Sequence, residues 1–138
     1  GSRVLATDYR DAPLELLREA AARNGVTLET ALFDITSAQP LPQQAAMCEA
    51  GGGLLVAADL LYLKSTSEAL ARRCVEALRN GCSEVLVGDC GRPGRDAFLT
   101  ALRGEGVRPG ACRFEQVDGW SAGTPRHELI SSHADDLR

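Results

Sequence analysis

An acid and an aromatic residue, Asp59 and Tyr62, stand three positions apart directly after an uninterrupted apolar run at 54–58. The run predicts a central parallel strand that is covered on both faces. Ligands of open α/β sheets bind just outside the carboxyl ends of the strands, so we expect both side chains at a functional edge. The alternative is that Asp59 only caps the helix that follows it.

Three other predicted strands also end at an aspartate, namely at Asp8, Asp34 and Asp89. The pattern predicts four carboxylates along one edge of one sheet, where they suit a ligand with hydroxyl and amine groups. An aspartate after a strand that feeds a helix also holds ribose hydroxyls in dinucleotide-binding folds. The competing interpretation is turn formation, which explains any single aspartate at the end of a strand.

Strand and helix patterns alternate along the chain and define its fold class. We expect strands at 3–7, 26–33, 54–58, 84–88, 111–117 and 126–132, and helices at 12–24, 66–80 and 93–105. Residues 36–51 read as a loop with one helical turn near 43–49. The order predicts a single α/β domain over 1–138, with a Rossmann-like, doubly wound, mostly parallel sheet and an antiparallel C-terminal strand pair.

Particular residues support these helices. Asp11 is the expected N-cap of the first helix. The second helix should bury one apolar face, which consists of Leu70, Cys74, Ala77 and Leu78. The third helix should bury a face that consists of Phe98, Leu99 and Leu102.

Composition excludes several classes of function. The net charge of −4 and the lack of a basic patch argue against nucleic-acid binding. No apolar run is long enough for a membrane span. Five cysteines without CxxC spacing argue against a disulfide framework or a zinc site, and they favour a reducing compartment: the cytoplasm, or alternatively the mitochondrial matrix. His127 and His133 flank the last strand, where a structural role is the better interpretation.

Four segments carry a resemblance to a known family: VLATDY at 4–9, FD at 33–34, AADLLY at 57–62 and DCGR at 89–92. Together they resemble the seven-strand S-adenosylmethionine-dependent methyltransferases. More narrowly, they are similar to the protein lysine methyltransferases with a D-x-x-Y motif after the fourth strand, a branch that includes the electron-transfer-flavoprotein β-subunit lysine methyltransferase. The resemblance covers essentially the whole chain.

The resemblance implies a set of cofactor-binding residues. Asp8 would bind the ribose hydroxyls of S-adenosylmethionine, and Asp34 would face the adenine amine. The full set implied for the cofactor is Asp8, Tyr9, Asp34, Ala58 and Asp59.

The resemblance also implies that Asp59 and Tyr62 are catalytic and line the methyl-transfer site. Methyl transfer from a sulfonium requires a neutral amine in close alignment. A carboxylate can orient that amine and stabilise the positive charge that grows on it, and a tyrosine ring offers an aromatic face to the cation. No metal is required, and the expected partner is a protein substrate.

The chain departs from the family at its beginning. The family's glycine-rich E/D-x-G-x-G loop does not precede Asp8, and Gly51, Gly52 and Gly53 precede a strand instead of following one. The chain therefore corresponds to the C-terminal part of the family fold. The family's first strand would lie between the strands that end at Asp8 and Asp59, and we expect an upstream segment or a partner to supply it.

Two classes of function remain open on this basis. One is a lysine methyltransferase that is completed by a segment outside this chain. The other is a non-catalytic methyltransferase-like structural or interaction subunit of a larger assembly, including a gene product that has lost its cofactor loop. In both cases we expect the chain alone to be inactive and to bind no S-adenosylmethionine. An unrelated nucleotide-binding α/β domain is a third alternative.

Overall fold

The computed structural model describes residues 3–42, 52–117 and 127–133. The chain divides into two compact units, Gly1–Gln44 and Ala45–Arg138. None of the described helices has the length and apolar character needed to cross a membrane.

The first unit is a β-α-β motif. Strand β1 (Leu5–Asp8) and strand β2 (Glu29–Leu32) pair in parallel, and helix α1 (Asp11–Arg23) connects them. The predicted cap of α1 is wrong, because Arg10 occupies the N-cap position and Asp11 is the first helical residue. An acid suits the first turn of a helix as well, because the backbone N–H groups there favour negative charge.

The second unit contains the other elements that the structure describes. They are strand β3 (Gly53–Ala58), helix α2 (Lys64–Arg79), strand β4 (Cys82–Asp89), helix α3 (Arg95–Gly104), a 3₁₀ turn (Pro109–Ala111), strand β5 (Arg113–Val117) and strand β6 (His127–His133). Glycine residues follow both helices in the left-handed conformation, with φ of 101° at Gly81 and 94° at Gly106. Such residues end helices because glycine has no Cβ to clash there.

The described strands form two hydrogen-bonded sheets, with strand orders β1-β2 and β3-β4-β6-β5. Strand β3 runs parallel to β4, whereas β6 runs antiparallel to both β4 and β5. The antiparallel C-terminal strand pair is thus confirmed. The sheet order adds that β6 inserts between β4 and β5. The missing family strand stays a prediction.

Helix burial follows the predicted faces closely. The inward face of α2 is buried as expected at Leu70, Cys74, Ala77 and Leu78. On α3, Phe98 and Leu102 are buried, whereas Leu99 is only half-buried. In α1, Leu14 is the buried residue. The apolar residues at helical spacing therefore identified the core-facing side of α2 and of α3.

The predicted burial of β3 is wrong. Leu54 is 45% exposed and Val56 is 62% exposed, and β3 is the end strand of its sheet among the described residues. Strand β1, also expected to be buried, has a half-buried Leu5 and an exposed Thr7. An apolar run indicates that a strand can be buried, but it does not show which part of the protein buries that strand. The helical turn predicted near 43–49 lies outside the described residues.

Candidate functional site

Strands β3 and β4 end side by side. Ala58 pairs with Gly88, and the Asp59 N–H donates to the Gly88 carbonyl at 2.8 Å. Asp59 is the only non-glycine among the described residues with a positive φ, at 54°. Aspartate tolerates this left-handed conformation better than most residues. The chain turns sharply there, and the loops after β3 and β4 emerge together.

Three side chains from these two loops meet at the carboxylate of Asp59. Arg92 Nε donates to Asp59 Oδ1 at 2.8 Å, and Arg92 Nη2 donates to Asp59 Oδ2 at 2.7 Å. The Tyr62 hydroxyl donates to Oδ2 at 2.8 Å, and the Cys90 thiol donates to Oδ1 at 3.1 Å. We call Asp59, Tyr62, Cys90 and Arg92 the Asp59 cluster.

The carboxylate of Asp59 is saturated by these contacts. A carboxylate offers about four lone-pair positions, and four donors occupy them here. The interpretation of Asp59 as a helix cap is wrong. Helix α2 begins at Lys64, its N-cap is Leu63, and no side chain caps it. Asp59 therefore serves the cluster and not the helix.

Arg92 also covers the aromatic ring of the cluster. Its guanidinium carbon lies 4.3 Å from the centroid of the Tyr62 ring, which is cation–π geometry. Nη2 of Arg92 is in addition 3.3 Å from the Tyr62 hydroxyl oxygen. The Asp59 carboxylate and the Tyr62 ring, the two residues of the D-x-x-Y motif, thus both bind the guanidinium of Arg92.

Hydrogen bonding fixes the charges of the cluster. The Arg92 guanidinium, followed by Cys90 and Tyr62, holds the pKa of Asp59 far below its usual range. The same carboxylate raises the pKa of the Arg92 side chain. The bonds that Tyr62 and Cys90 donate to Asp59 raise the pKa of each of these groups. At neutral pH the cluster therefore consists of one ion pair with a neutral phenol and a neutral thiol.

The cluster is open to solvent. The side chain of Asp59 is 43% exposed and that of Arg92 is 35% exposed. An external group can reach the carboxylate and the guanidinium without unfolding either loop.

A buried acid anchors the backbone that carries Arg92. Asp89 is 3% exposed, and its Oδ2 accepts hydrogen bonds from the N–H groups of Gly91 at 2.9 Å and Arg92 at 3.0 Å. Gly91 adopts a φ of 88° in this turn. The second oxygen of Asp89, Oδ1, is buried and has no hydrogen-bond partner within the described part of the chain.

A close backbone approach holds the other side of the same loop. The Gly94 N–H donates to the Leu61 carbonyl at 3.0 Å. A Cβ at Gly94 would lie 2.6 Å from that carbonyl oxygen and would overlap the Oγ of Ser67. Only glycine fits there, so this contact ties the loop after β4 to the loop that carries Tyr62.

The aspartates of the first unit use their carboxylates in turns. Oδ1 of Asp8 accepts the N–H of Arg10 at 2.8 Å. Oδ1 of Asp34 accepts the N–H of Thr36 at 2.8 Å and its hydroxyl at 2.7 Å. Together with Asp89, three of the four strand-end aspartates thus form the turns that the simpler interpretation expected. Within the described residues, the carboxylate of Asp59 differs from the other three because it accepts hydrogen bonds from side chains only.

The predicted site residues fall into two groups. Asp8 and Asp34 lie at neighbouring strand ends, since the Phe33 N–H donates to the Asp8 carbonyl at 2.8 Å. Tyr9 and Ala58 are exposed. Asp59 and Tyr62 are brought into direct contact. The functional roles assigned to these residues stay predictions.

Sequence reasoning gave no role to Cys90 or Arg92. Both belong to the DCGR segment that was noted for its resemblance alone. The available signal was topological: the loops after two neighbouring parallel strands emerge at the same edge, so a basic residue after β4 can reach an acid after β3. Asp59 and Arg92 are 33 residues apart, so their contact cannot be predicted without knowing the register in which β3 and β4 pair.

Solved methyltransferase structures share the fold of this chain. An rRNA methylase from Streptococcus thermophilus aligns with a TM-score of 0.55 and 13% identity, over 95% of this chain and 73% of the methylase. The N-methyltransferase NodS from Bradyrhizobium japonicum WM9 aligns with a TM-score of 0.55 and 17% identity, over 95% and 72%. A putative rRNA-methylase from Clostridium thermocellum aligns with a TM-score of 0.57 and 12% identity, over 95% and 72%.

These alignments confirm the Rossmann-like α/β fold class predicted from the sequence. At such low identities the likeness concerns the fold alone. No protein-family model and no curated protein sequence matches the chain.

Proposed function

We propose that this chain is the C-terminal part of an S-adenosylmethionine-dependent methyltransferase that methylates a lysine side chain of a protein. The observation that carries the proposal is that Asp59 and Tyr62 bind the guanidinium of Arg92 within the Asp59 cluster. The two features assigned to the substrate cation, the Asp59 carboxylate and the Tyr62 ring, bind a cation in this structure. A surface that holds the guanidinium of Arg92 has the charge and shape to hold an ammonium.

The first unit suits the nucleoside of the cofactor. Asp8 and Asp34 stand at neighbouring ends of two parallel strands, where ribose and adenine groups are bound in dinucleotide folds. Each carboxylate uses Oδ1 for its own turn, which fixes the orientation of the group. When bound, S-adenosylmethionine would supply an electrophilic methyl group on a sulfonium. Tyr9, which is exposed and follows Asp8, is the other cofactor contact proposed in this unit.

Asp59 and Tyr62 act on the acceptor in this proposal. The carboxylate orients the lysine amine and stabilises the positive charge that develops on its nitrogen. The Tyr62 ring faces the same charge. An aspartate carboxylate is ionised at any pH at which a lysine amine is partly neutral, whether or not Arg92 is bound to it. Both side chains therefore favour the transition state more than the neutral amine that precedes it.

A protein acceptor agrees with the charge of the chain better than RNA does. Two of the similar structures are named as rRNA methylases, but this chain carries a net charge of −4. Proteins that bind RNA neutralise its phosphates with clustered basic residues. A reducing compartment, such as the cytoplasm or the mitochondrial matrix, is part of the same proposal.

We further propose that a strand from an upstream segment or from a partner pairs with β3. Within the described sheet, β3 is hydrogen-bonded to β4 alone, and Leu54 and Val56 are exposed beside this open edge. Unpaired backbone groups and exposed apolar side chains favour strand addition.

Amide hydrogen exchange of the chain by itself tests the added strand. Exposed edge amides in β3 should exchange rapidly, whereas amides of β4 should be protected. Equal, strong protection of both strands in an isolated monomer would contradict the proposal.

A methyl-transfer assay tests the function. The complete gene product that carries this chain is incubated with trideuteromethyl-labelled S-adenosylmethionine and the electron-transfer-flavoprotein β-subunit, whose methyltransferase belongs to the branch that this sequence resembles. Mass spectrometry should find the label on lysine. Label on another residue type, or on RNA added to the same reaction, would reject the lysine assignment.

A further inference from the structure

We infer that Arg92 is a built-in occupant of the acceptor site and that only a cation-bearing acceptor can take its place. The inference rests on the proposed function and deepens it, because it assigns to Arg92 the selection of the acceptor class. It concerns a residue for which the sequence suggested no role.

The contacts of Arg92 coincide with those proposed for the acceptor. Its guanidinium binds both oxygens of Asp59 and covers the ring of Tyr62. With these contacts in place, the carboxylate has no lone pair left for an incoming amine. Acceptor and Arg92 therefore compete for the same surface.

Exchange of the two cations requires little reorganisation. Both partners of the ion pair are about one-third or more exposed, so water can solvate each charge as it separates. The pair is bidentate but exposed to solvent, so its contribution to stability is modest. The backbone of Arg92 stays anchored meanwhile, because Asp89 binds its N–H and Gly94 ties the loop to Leu61. The side chain can leave and return while the loop keeps its place.

The competition selects the acceptor. A lysine ammonium brings its own positive charge and can replace the guanidinium at the carboxylate and at the ring. It then loses one proton to solvent, and the neutral amine accepts the methyl group. A hydroxyl or an uncharged amide offers no charge to the carboxylate and leaves the pair between Asp59 and Arg92 intact. The apparent affinity for any acceptor is reduced by the fraction of molecules in which Arg92 occupies the site.

Two small probes test the inference by NMR. Nα-acetyl-lysine-N-methylamide carries the ammonium, and Nα-acetyl-norleucine-N-methylamide has the same backbone with an uncharged side chain. Each is titrated into ¹⁵N-labelled protein while the ring signals of Tyr62 and the Nε–H signal of Arg92 are followed. The Arg92→Met variant identifies the Nε–H signal by its loss. The ring signals of Tyr9, the other tyrosine of the chain, serve as the reference.

The lysine probe should shift the Tyr62 signals and move the Arg92 Nε–H signal toward the position of solvated arginines. The norleucine probe should do neither. Arg92→Met should bind the lysine probe roughly two- to fivefold more tightly, the range expected for removing an exposed ion-pair competitor. Arg103→Met removes the same charge from an exposed position at the end of α3 and should bind like the unaltered protein.

The possible results distinguish a failure of the inferred role of Arg92 from a failure of the proposed function. If Tyr62 shifts while the Arg92 Nε–H signal stays in place, the cation site is real but Arg92 is not displaced, and the inference is wrong. Equal shifts with both probes would overturn the selection for a cation. If neither the unaltered protein nor Arg92→Met shows a Tyr62 shift, the site does not bind lysine, and the proposed function loses the observation that carries it.

Discussion

Strands β1 and β3 end in the same sequence pattern, but the aspartate at the end of each strand makes different contacts. At each, an aspartate follows a short apolar run, at Asp8 and at Asp59. Asp8 accepts a hydrogen bond from the backbone two residues later and stabilises its own turn. Asp59 adopts a φ of 54° and gathers side chains from two loops. The backbone conformation decides the difference, because the left-handed turn at Asp59 directs its carboxylate to the neighbouring loop.

The comparison predicts different kinetic defects in the complete methyltransferase that we propose. Asp59→Ala removes the group proposed to stabilise charge on the amine, so the rate of methyl transfer should fall by about a hundredfold or more, with a smaller change in cofactor affinity. Asp8→Ala removes the carboxylate proposed to accept the ribose hydroxyls, so cofactor affinity should fall by roughly ten- to a hundredfold. Single-turnover kinetics and calorimetry measure the two effects.

Thr7→Ala, at an exposed position beside Asp8, serves as the control for substitution near the strand end. A full single-turnover rate in Asp59→Ala would remove Asp59 from the acceptor site. Unchanged cofactor affinity in Asp8→Ala would remove Asp8 from the cofactor site.

The loop contact that supports the cluster predicts a change in stability. Gly94→Ala places a Cβ against the Leu61 carbonyl and Ser67, so the free energy of unfolding should fall by about 1–3 kcal/mol. Gly104→Ala is the matched control: a Cβ there meets nothing within 4 Å, and alanine favours the helix. Urea unfolding of both variants measures the difference. Equal stability of the two would show that the loops can separate without cost.

Cys90 reports on the cluster through its reactivity. Its hydrogen bond to Asp59 raises the pKa of the thiol, which keeps it protonated and slow to react with iodoacetamide at pH 8. Asp59→Asn should lower that pKa and accelerate alkylation, whereas Asp8→Asn should leave the rate unchanged. Peptide mass spectrometry separates Cys90 from buried Cys74, whose pKa is raised to about 12. Equal rates in all three proteins would mean that the thiol does not bond to Asp59.

The sequence predicted the elements of the fold better than their surroundings. Apolar periodicity placed α2 and its buried face, because residues of one helix determine that pattern themselves. The same reasoning overestimated the burial of β3, whose exposure depends on what packs against the face that carries Leu54 and Val56. Local sequence does not contain that information.

The candidate site shows the same division between local and distant contacts. The bond between Asp59 and Tyr62 joins residues three positions apart, so the D-x-x-Y spacing was enough to predict their proximity. Arg92 meets Asp59 only because β3 and β4 pair with Ala58 opposite Gly88. A register cannot be read from composition or periodicity, and the dominant charge partner of the site was therefore missed.

The smallest expected effect is the response of the ion pair to acid. The pKa of Asp59 is depressed in the folded chain, so the pair contributes its full stabilisation above the unfolded value, near pH 4. That contribution is lost as the pH falls from there toward the folded pKa. Arg92→Met removes the main cause of the depression, so the stability difference between the unaltered protein and this variant should be constant from pH 7 to pH 5 and shrink below about pH 4.

Urea unfolding at pH 7, 5 and 3 measures that difference, and Arg103→Met again controls for net charge. The effect should be small at every pH because both partners are solvated and exposed pairs stabilise little. A difference that grows on acidification would contradict the sign of the pKa shift. A large difference at neutral pH would show that Arg92 is held too firmly to be exchanged for a substrate cation, which would also weaken the inferred role of Arg92 as a replaceable occupant.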